Sequence, residues 1–181
     1  HPLQGNGTIL DGIHAERQAL AQLRDSSDLI LDTSDLNVHQ LSNRIADEFS
    51  LEHVSKLRVN VMSFGFKYGL PSDADNVADM RFLPNPFWNE DLRPFNGEDE
   101  PVAKYVLGQP GAEEFIKNYV AALVPVLRGY LTENKRYATI AIGCTGGKHR
   151  SVAVAKRIAA ELAATDLDIS VNVKHRDLGK E

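Results

Sequence analysis

Residues 137–163, YATIAIGCTGGKHRSVAVAKRIAAELA, restrict the fold more than any other stretch of this 181-residue chain. The run YATIAIG is uncharged and mostly apolar, the mark of a strand buried on both faces of a parallel sheet. From Ser151 to about Ala164, Val152, Val154, Ala155, Ile158 and Leu162 recur at helical spacing. The glycine-rich GCTGGKHRSV joins the two. A buried strand, a glycine loop and a helix in that order predict an α/β fold.

The remaining segments agree with that class. Residues 12–25 read as a helix, and Leu29, Ile30 and Leu31 read as a short buried parallel strand. Ser34 or Asp35 is expected to cap a helix running to about Phe49, with Leu41, Ile45 and Phe49 on its inner face. After a boundary near Leu51–Ser55 the pattern restarts. Leu57, Val59 and Val61 alternate as in a strand. FKYGLPSDADNV is a loop, and NVADMRFLPNPFW begins as a strand that Pro84 and Pro86 stop. GAEEFIKNYVAALVPVLRGYLTEN is a long helix that Pro125 is expected to kink or split. DISVNVKHRD is the last strand, and no internal repeat is present. Residues 1–52 and 53–181 are therefore expected to be two domains.

The loop is built for an anion. Gly143, Gly146 and Gly147 permit close backbone approach, and a helix N-terminus supplies free N–H groups. Lys148 and Arg150 add positive charge, Thr145 and Ser151 add hydroxyls, and His149 titrates near neutrality. Ser151 is expected to cap the helix. Charge distribution favours the same end. Residues 131–181 carry nine Lys/Arg against six Asp/Glu, whereas residues 1–130 carry eleven against nineteen. The loop does not fit G-x-x-x-x-G-K-[ST], because His149 stands where a magnesium-binding hydroxyl belongs, so ATP turnover is not expected. It does fit C-x5-R-[ST] through Cys144, Arg150 and Ser151. The enzyme alternative is thus a cysteine phosphatase with Cys144 as nucleophile and Asp91 as general acid. A second polar cluster holds Lys67, Asp73, Asp75, Asp79 and Arg81. Asp79 and Arg81, two apart, are expected to pair, and the aspartate spacing makes no metal site. The single cysteine excludes an intrachain disulfide, which fits the cytoplasm, and no apolar run approaches the roughly 20 residues that span a bilayer.

Three segments in order, LILDTSDLNVHQL, SFGFKYGLPSDADNVADMRFLPNPFW and GCTGGKHRSV, resemble the RapZ family, also called the YvcJ-like nucleotide-binding proteins of bacteria. The resemblance implies that residues 1–52 are the end of a P-loop kinase-like domain whose Walker A loop, and hence ATP or GTP, has no counterpart here. It implies that the rest is a C-terminal domain binding a phosphorylated amino sugar, glucosamine-6-phosphate. Thr145, Gly146 and Arg150 would contact the ligand, with Lys148 and His149 nearby. Gly143, Gly147, Ser151, Lys67, Asp79 and Arg81 complete the expected site. It further implies an RNase adapter that presents a small RNA to an endoribonuclease, with Lys174, His175, Arg176 and Lys180 as RNA contacts, and a homo-oligomer is expected. The parent protein would be at most a weak ATPase or GTPase. Phe87 stands where the enterobacterial branch carries His, and KHRDLGKE is less basic than that branch's end.

Overall fold

The structure is a computed structural model describing residues 1–27, 29–49 and 57–180. The chain divides into two units, His1–Ala46 and Asp47–Glu181. The boundary expected near Leu51–Ser55 lies outside the described residues.

In the first unit, α1 (Ile9–Ala19) and α2 (Ala21–Asp25) replace the single helix expected over 12–25. The start moves forward because Thr8 and Asp11 cap each other. The Asp11 amide donates to Thr8 Oγ1 at 3.3 Å and the Thr8 amide to the Asp11 carboxylate at 2.7 Å. Leu29–Leu31 is coil, not the expected strand. A strand exists only by pairing, and the sheet is assembled from other segments. α3 (Val38–Phe49) is capped by Asn37 rather than Ser34 or Asp35. Asn37 Oδ1 accepts from the Gln40 amide and Gln40 Oε1 from the Asn37 amide, both at 2.9 Å, while Ser34 donates to Asp32. The row expected to face inward is largely open, with Ile45 44% and Phe49 68% exposed. No strand among the described residues of this unit offers it a surface to pack on.

In the second unit, β1 (Leu57–Gly65), β2 (Asn76–Asp79), β3 (Tyr137–Cys144) and β4 (Ile169–His175) form one parallel sheet in the order β2-β3-β1-β4. Its helices are α4 (Glu100–Leu107), α5 (Ala112–Thr132) and α6 (Arg150–Ala163). β1 and β3 occupy the centre, so their apolar runs are satisfied by burial. Leu57, Val59 and Val61 of β1 and Ala138, Ile140 and Ile142 of β3 join one core. α6 packs against β1, β3 and β4 and is flanked by α4 and α5. Ile158 and Leu162, one turn apart on α6, are fully buried in that core. β4 pairs only with β1, and its residues alternate between half-buried and exposed.

One expectation about proline is corrected, and the split allowed for α5 does not occur. β2 ends at Asp79, well before Pro84, because the Asp79 carboxylate takes the Arg81 amide at 2.9 Å and turns the chain. Pro86 instead opens a 3-10 turn, Pro86–Trp88, whose first amide is capped by Asn85. α5 continues through Pro125 without splitting. Pro125 is exposed, so the carbonyl it leaves unbonded is open to water, while Leu123 and Leu127 on either side are buried in the core.

Ile158 carries the test of this packing. Ile158→Ala leaves a cavity between α6 and the sheet and is expected to lower unfolding free energy in urea by about 2–5 kcal/mol. A loss within 0.5 kcal/mol, as for a surface change, would contradict the assignment of α6 to the core.

Candidate anion-binding site

β1 and β3 end at the same level, with Gly65 opposite Cys144 in the register. The chain leaves β3 through Thr145–His149 and enters α6 at Arg150. Gly147 has φ +78°, the left-handed region that glycine enters without strain, and its amide turns back to donate to Cys144 Sγ at 3.3 Å. Ser151 Oγ lies 3.1 Å from the same sulfur. Ser151 is thus a fully buried residue inside α6 and not its expected cap; the N-cap position is His149, with no side-chain cap bond. Gly143 lies beneath the loop, where an added Cβ would come within 2.5 Å of the Phe64 and Phe66 rings.

Arg150 is only 5% exposed. Its Nη1 donates to the Leu83 carbonyl at 2.9 Å and the Arg81 carbonyl at 3.4 Å, and its Nη2 to Thr145 Oγ1 at 3.1 Å. Its Nε is buried without a hydrogen-bond partner. No carboxylate of the described residues lies within ion-pair distance of it. The guanidinium is therefore held in place directly by neutral oxygens, with the Asp79 carboxylate as a more distant negative charge.

A pocket of about 350 Å³ opens over this group. Cys144, Thr145, Gly146, Lys148, His149 and Arg150 form its floor and one side, and Lys67, Asn85, Phe87 and Trp88 form the rest. Lys67 arrives on the turn Phe66–Tyr68, whose Lys67 amide donates to the Thr145 carbonyl at 3.2 Å. Phe87 and Trp88 meet edge to face with centroids 5.4 Å apart, and Trp88 is 76% exposed. The structure therefore brings Lys67 together with the loop, as the sequence pattern expects. Asp79 and Arg81 do pair, with Arg81 Nη2 2.7 Å from the Asp79 carboxylate. The Arg81 hydrogen bonds, with Arg150 nearby, hold Asp79 below the usual carboxylate range. Their side chains do not line the pocket; Arg81 serves it through the carbonyl that receives Arg150. Asp91 is exposed, does not line the pocket, and donates its amide to Asn89. Among the described residues no three His, Cys, Asp or Glu side chains come together as a metal site.

The basic residues after β4 have other engagements. Arg176 and Lys180 both grip Asp177, at 2.7 and 2.9 Å, and the Asp177 side chain is fully buried. His175 Nδ1 lies 2.8 Å from Ser63 Oγ, and its Nε2 is 3.7 Å from Glu98. Burial lowers the His175 pKa, Glu98 opposes that, and Lys156 adds to it. Lys174 is exposed on β4. Sequence reasoning missed Asn85 and Trp88 as pocket walls and Asp177 as a buried group. The N-P-F-W run was a legible turn signal, but nothing in HRDLGK distinguishes a buried aspartate from a solvated one.

A four-stranded parallel sheet with a buried arginine at a strand–glycine loop–helix junction defines an α/β domain. The RapZ C-terminal domain family matches residues 57–179, and the RapZ-like N-terminal domain family matches residues 1–53. The chain belongs to the RapZ family. It is 63% identical over its whole length to a nucleotide-binding protein of Leifsonia xyli subsp. xyli, covering 61% of that protein. It is 62% identical to one from Clavibacter michiganensis subsp. michiganensis, covering 62% of it, and 56% identical to one from Streptomyces coelicolor, covering 60%. The chain thus spans about three-fifths of the curated relatives it matches. No helix of the described residues is long and apolar enough to cross a membrane.

Asp177 gives the unit a specific acid sensitivity. Burial alone would raise its pKa, but hydrogen bonds from Arg176, the Gly65 amide and Lys180 outweigh that and hold it at about 2, against an ordinary 3.8. A depressed carboxylate stabilises the fold fully above its ordinary pKa and loses that contribution as pH falls toward the folded value. The contribution is on the order of 2 kcal/mol. Urea unfolding of Asp177→Asn is expected to show a deficit of that order at pH 6 that narrows between pH 4 and 2. A deficit independent of pH would contradict the ionised, hydrogen-bonded state.

Proposed function

We propose that residues 57–180 form a regulatory domain that binds a phosphorylated sugar over the loop Gly143–Ser151, with an amino-sugar phosphate such as glucosamine-6-phosphate as ligand. The observation that carries this reading is Arg150. Arg150 is buried with no directly paired carboxylate, and a phosphate placed over the loop supplies a close negative charge while accepting from the guanidinium and from loop N–H groups. Lys67 and Lys148 add cationic walls, and Phe87 and Trp88 offer an apolar face for a sugar ring. A volume of about 350 Å³ suits a small ligand rather than a polymer.

Cysteine-phosphatase chemistry is the weaker reading. Cys144 is 3% exposed beneath the loop, and Asp91 does not line the pocket where a general acid would act. The relatives are named for nucleotide binding, and we assign ATP or GTP binding to the longer protein, since no G-x-x-x-x-G-K-[ST] loop occurs in this chain. A small RNA and an endoribonuclease belong to the same proposal as partners of the whole protein, which works in the cytoplasm as a homo-oligomer.

Arg150→Ala is expected to weaken glucosamine-6-phosphate binding by about 1.5–3 kcal/mol with the fold retained. Titration calorimetry giving equal affinities for parent and variant would overturn the anion site. Hydrolysis of a phosphate monoester that disappears in Cys144→Ser would favour the phosphatase instead.

RNA contact by this chain is expected to be weak. Arg176 and Lys180 are committed to Asp177, which leaves Lys174 as the exposed charge of the four expected contacts. With fewer than about three phosphates neutralised, log affinity should fall with log salt at a slope shallower than about −2. Filter binding of a structured small RNA at several salt concentrations measures it, and a steep slope would place the RNA surface elsewhere.

A further inference from the structure

Residues 176–180 form a brace behind the anion loop, centred on Asp177. One Asp177 oxygen accepts the Gly65 amide at 2.8 Å. Gly65 is pressed against the loop, since a Cβ there would come within 2.6 Å of the Gly146 carbonyl carbon. A Cβ on Gly147 would meet the Gly65 nitrogen at 2.8 Å and the Asp177 Cβ at 3.1 Å. Asp177 thus bonds the Gly65 backbone and fills the space beside Gly147 that a side chain there would need. The brace also grips the next turn. Arg176, bound to Asp177, donates from Nη2 to the Gly69 carbonyl at 2.7 Å and lies over the Phe64 ring. Tyr68 donates its hydroxyl to the Lys180 carbonyl at 2.6 Å. The turn between these anchors, Phe66–Tyr68, carries Lys67 into the pocket.

We propose that Asp177 is a positioning residue for the anion site: it fixes the Phe66–Tyr68 turn against the loop and thereby sets where Lys67 meets the ligand. This rests on the reading of the loop as a phosphate site. Asp177 reaches no ligand itself, because its side chain is fully buried and absent from the pocket lining. Groups behind a binding site hold the contacting groups in their productive geometry, and losing such a group commonly weakens binding by 10-fold or somewhat more.

The test is a double-mutant cycle in the 181-residue chain, with inorganic phosphate and glucosamine-6-phosphate as probes. Asp177→Asn is expected to weaken binding about tenfold at a temperature where circular dichroism shows it folded. In a Lys67→Ala background the same change should weaken binding less than about twofold, because there is no Lys67 left to position. Equal losses in both backgrounds would mean that Asp177 acts only on general stability, and would overturn the proposal while leaving the site intact. Where Asp177→Asn does not fold, Tyr68→Phe removes the clasp on Lys180 at the exposed end of the same brace. It is expected to weaken binding about threefold, and unchanged affinity would overturn the proposal. If the parent chain binds neither probe, the phosphate site fails, and the role of Asp177 fails with it.

Discussion

The site depends on the parallel pairing of β1 with β3. That register ends both central strands together, Gly65 beside Cys144, and so stacks two exit loops directly on one another. One loop continues into α6 and brings Arg150 to its first turn; the other carries Lys67. The Lys67 loop is a single 3-10 turn, closed by the Gly69 amide on the Phe66 carbonyl, and the two are held together by contacts between them: the Lys67 amide on the Thr145 carbonyl, and glycines at Gly65 and Gly147 where any side chain would strike backbone. The arginine is then fixed by carbonyls of the segment after β2 and by Thr145 after β3, so the exits of two strands hold one guanidinium.

The second unit was legible in the sequence where local pattern and burial coincide. The runs of β1 and β3 are apolar because they lie at the centre of a sheet, and α6 shows its apolar stripe because one face is buried. The strand–glycine loop–helix junction was legible for the same reason, since its glycines fall between an apolar strand and an amphipathic helix. Leu29–Leu31 shows where this fails: an apolar run announces the capacity to be a strand, and only a partner makes it one. Pro125 does not split α5, and Leu123 and Leu127 on either side are buried in the core. Asp177 was illegible because Arg176 and Lys180 look like solvated charge until the chain folds them around a carboxylate. Family resemblance supplied what residue pattern could not, namely that the separate motifs belong to one protein, and the family matches agree with it.

The site uses charge in two opposed ways. Behind the loop, Asp177 is fully neutralised by Arg176, Lys180 and a backbone amide, which makes it a fixed structural group. In front, Arg150 is held directly by neutral acceptors and has no carboxylate at ion-pair distance among the described residues, with Asp79 a more distant negative charge.

The brace also bears on how the unit is made. Gly65 and Asp177 are 112 residues apart in sequence, and β4 joins the sheet only against β1 across a similar span. Closing loops of that length is entropically slow, and parallel pairing cannot begin with a local hairpin. On the ribosome, β1 and β3 can meet before β4 has been synthesised, but the junction of their two exit loops lacks its brace until residues 176–180 emerge. That junction is therefore among the last features to be completed, and a chain released early from synthesis would carry the glycine loop without residues 176–180 behind it.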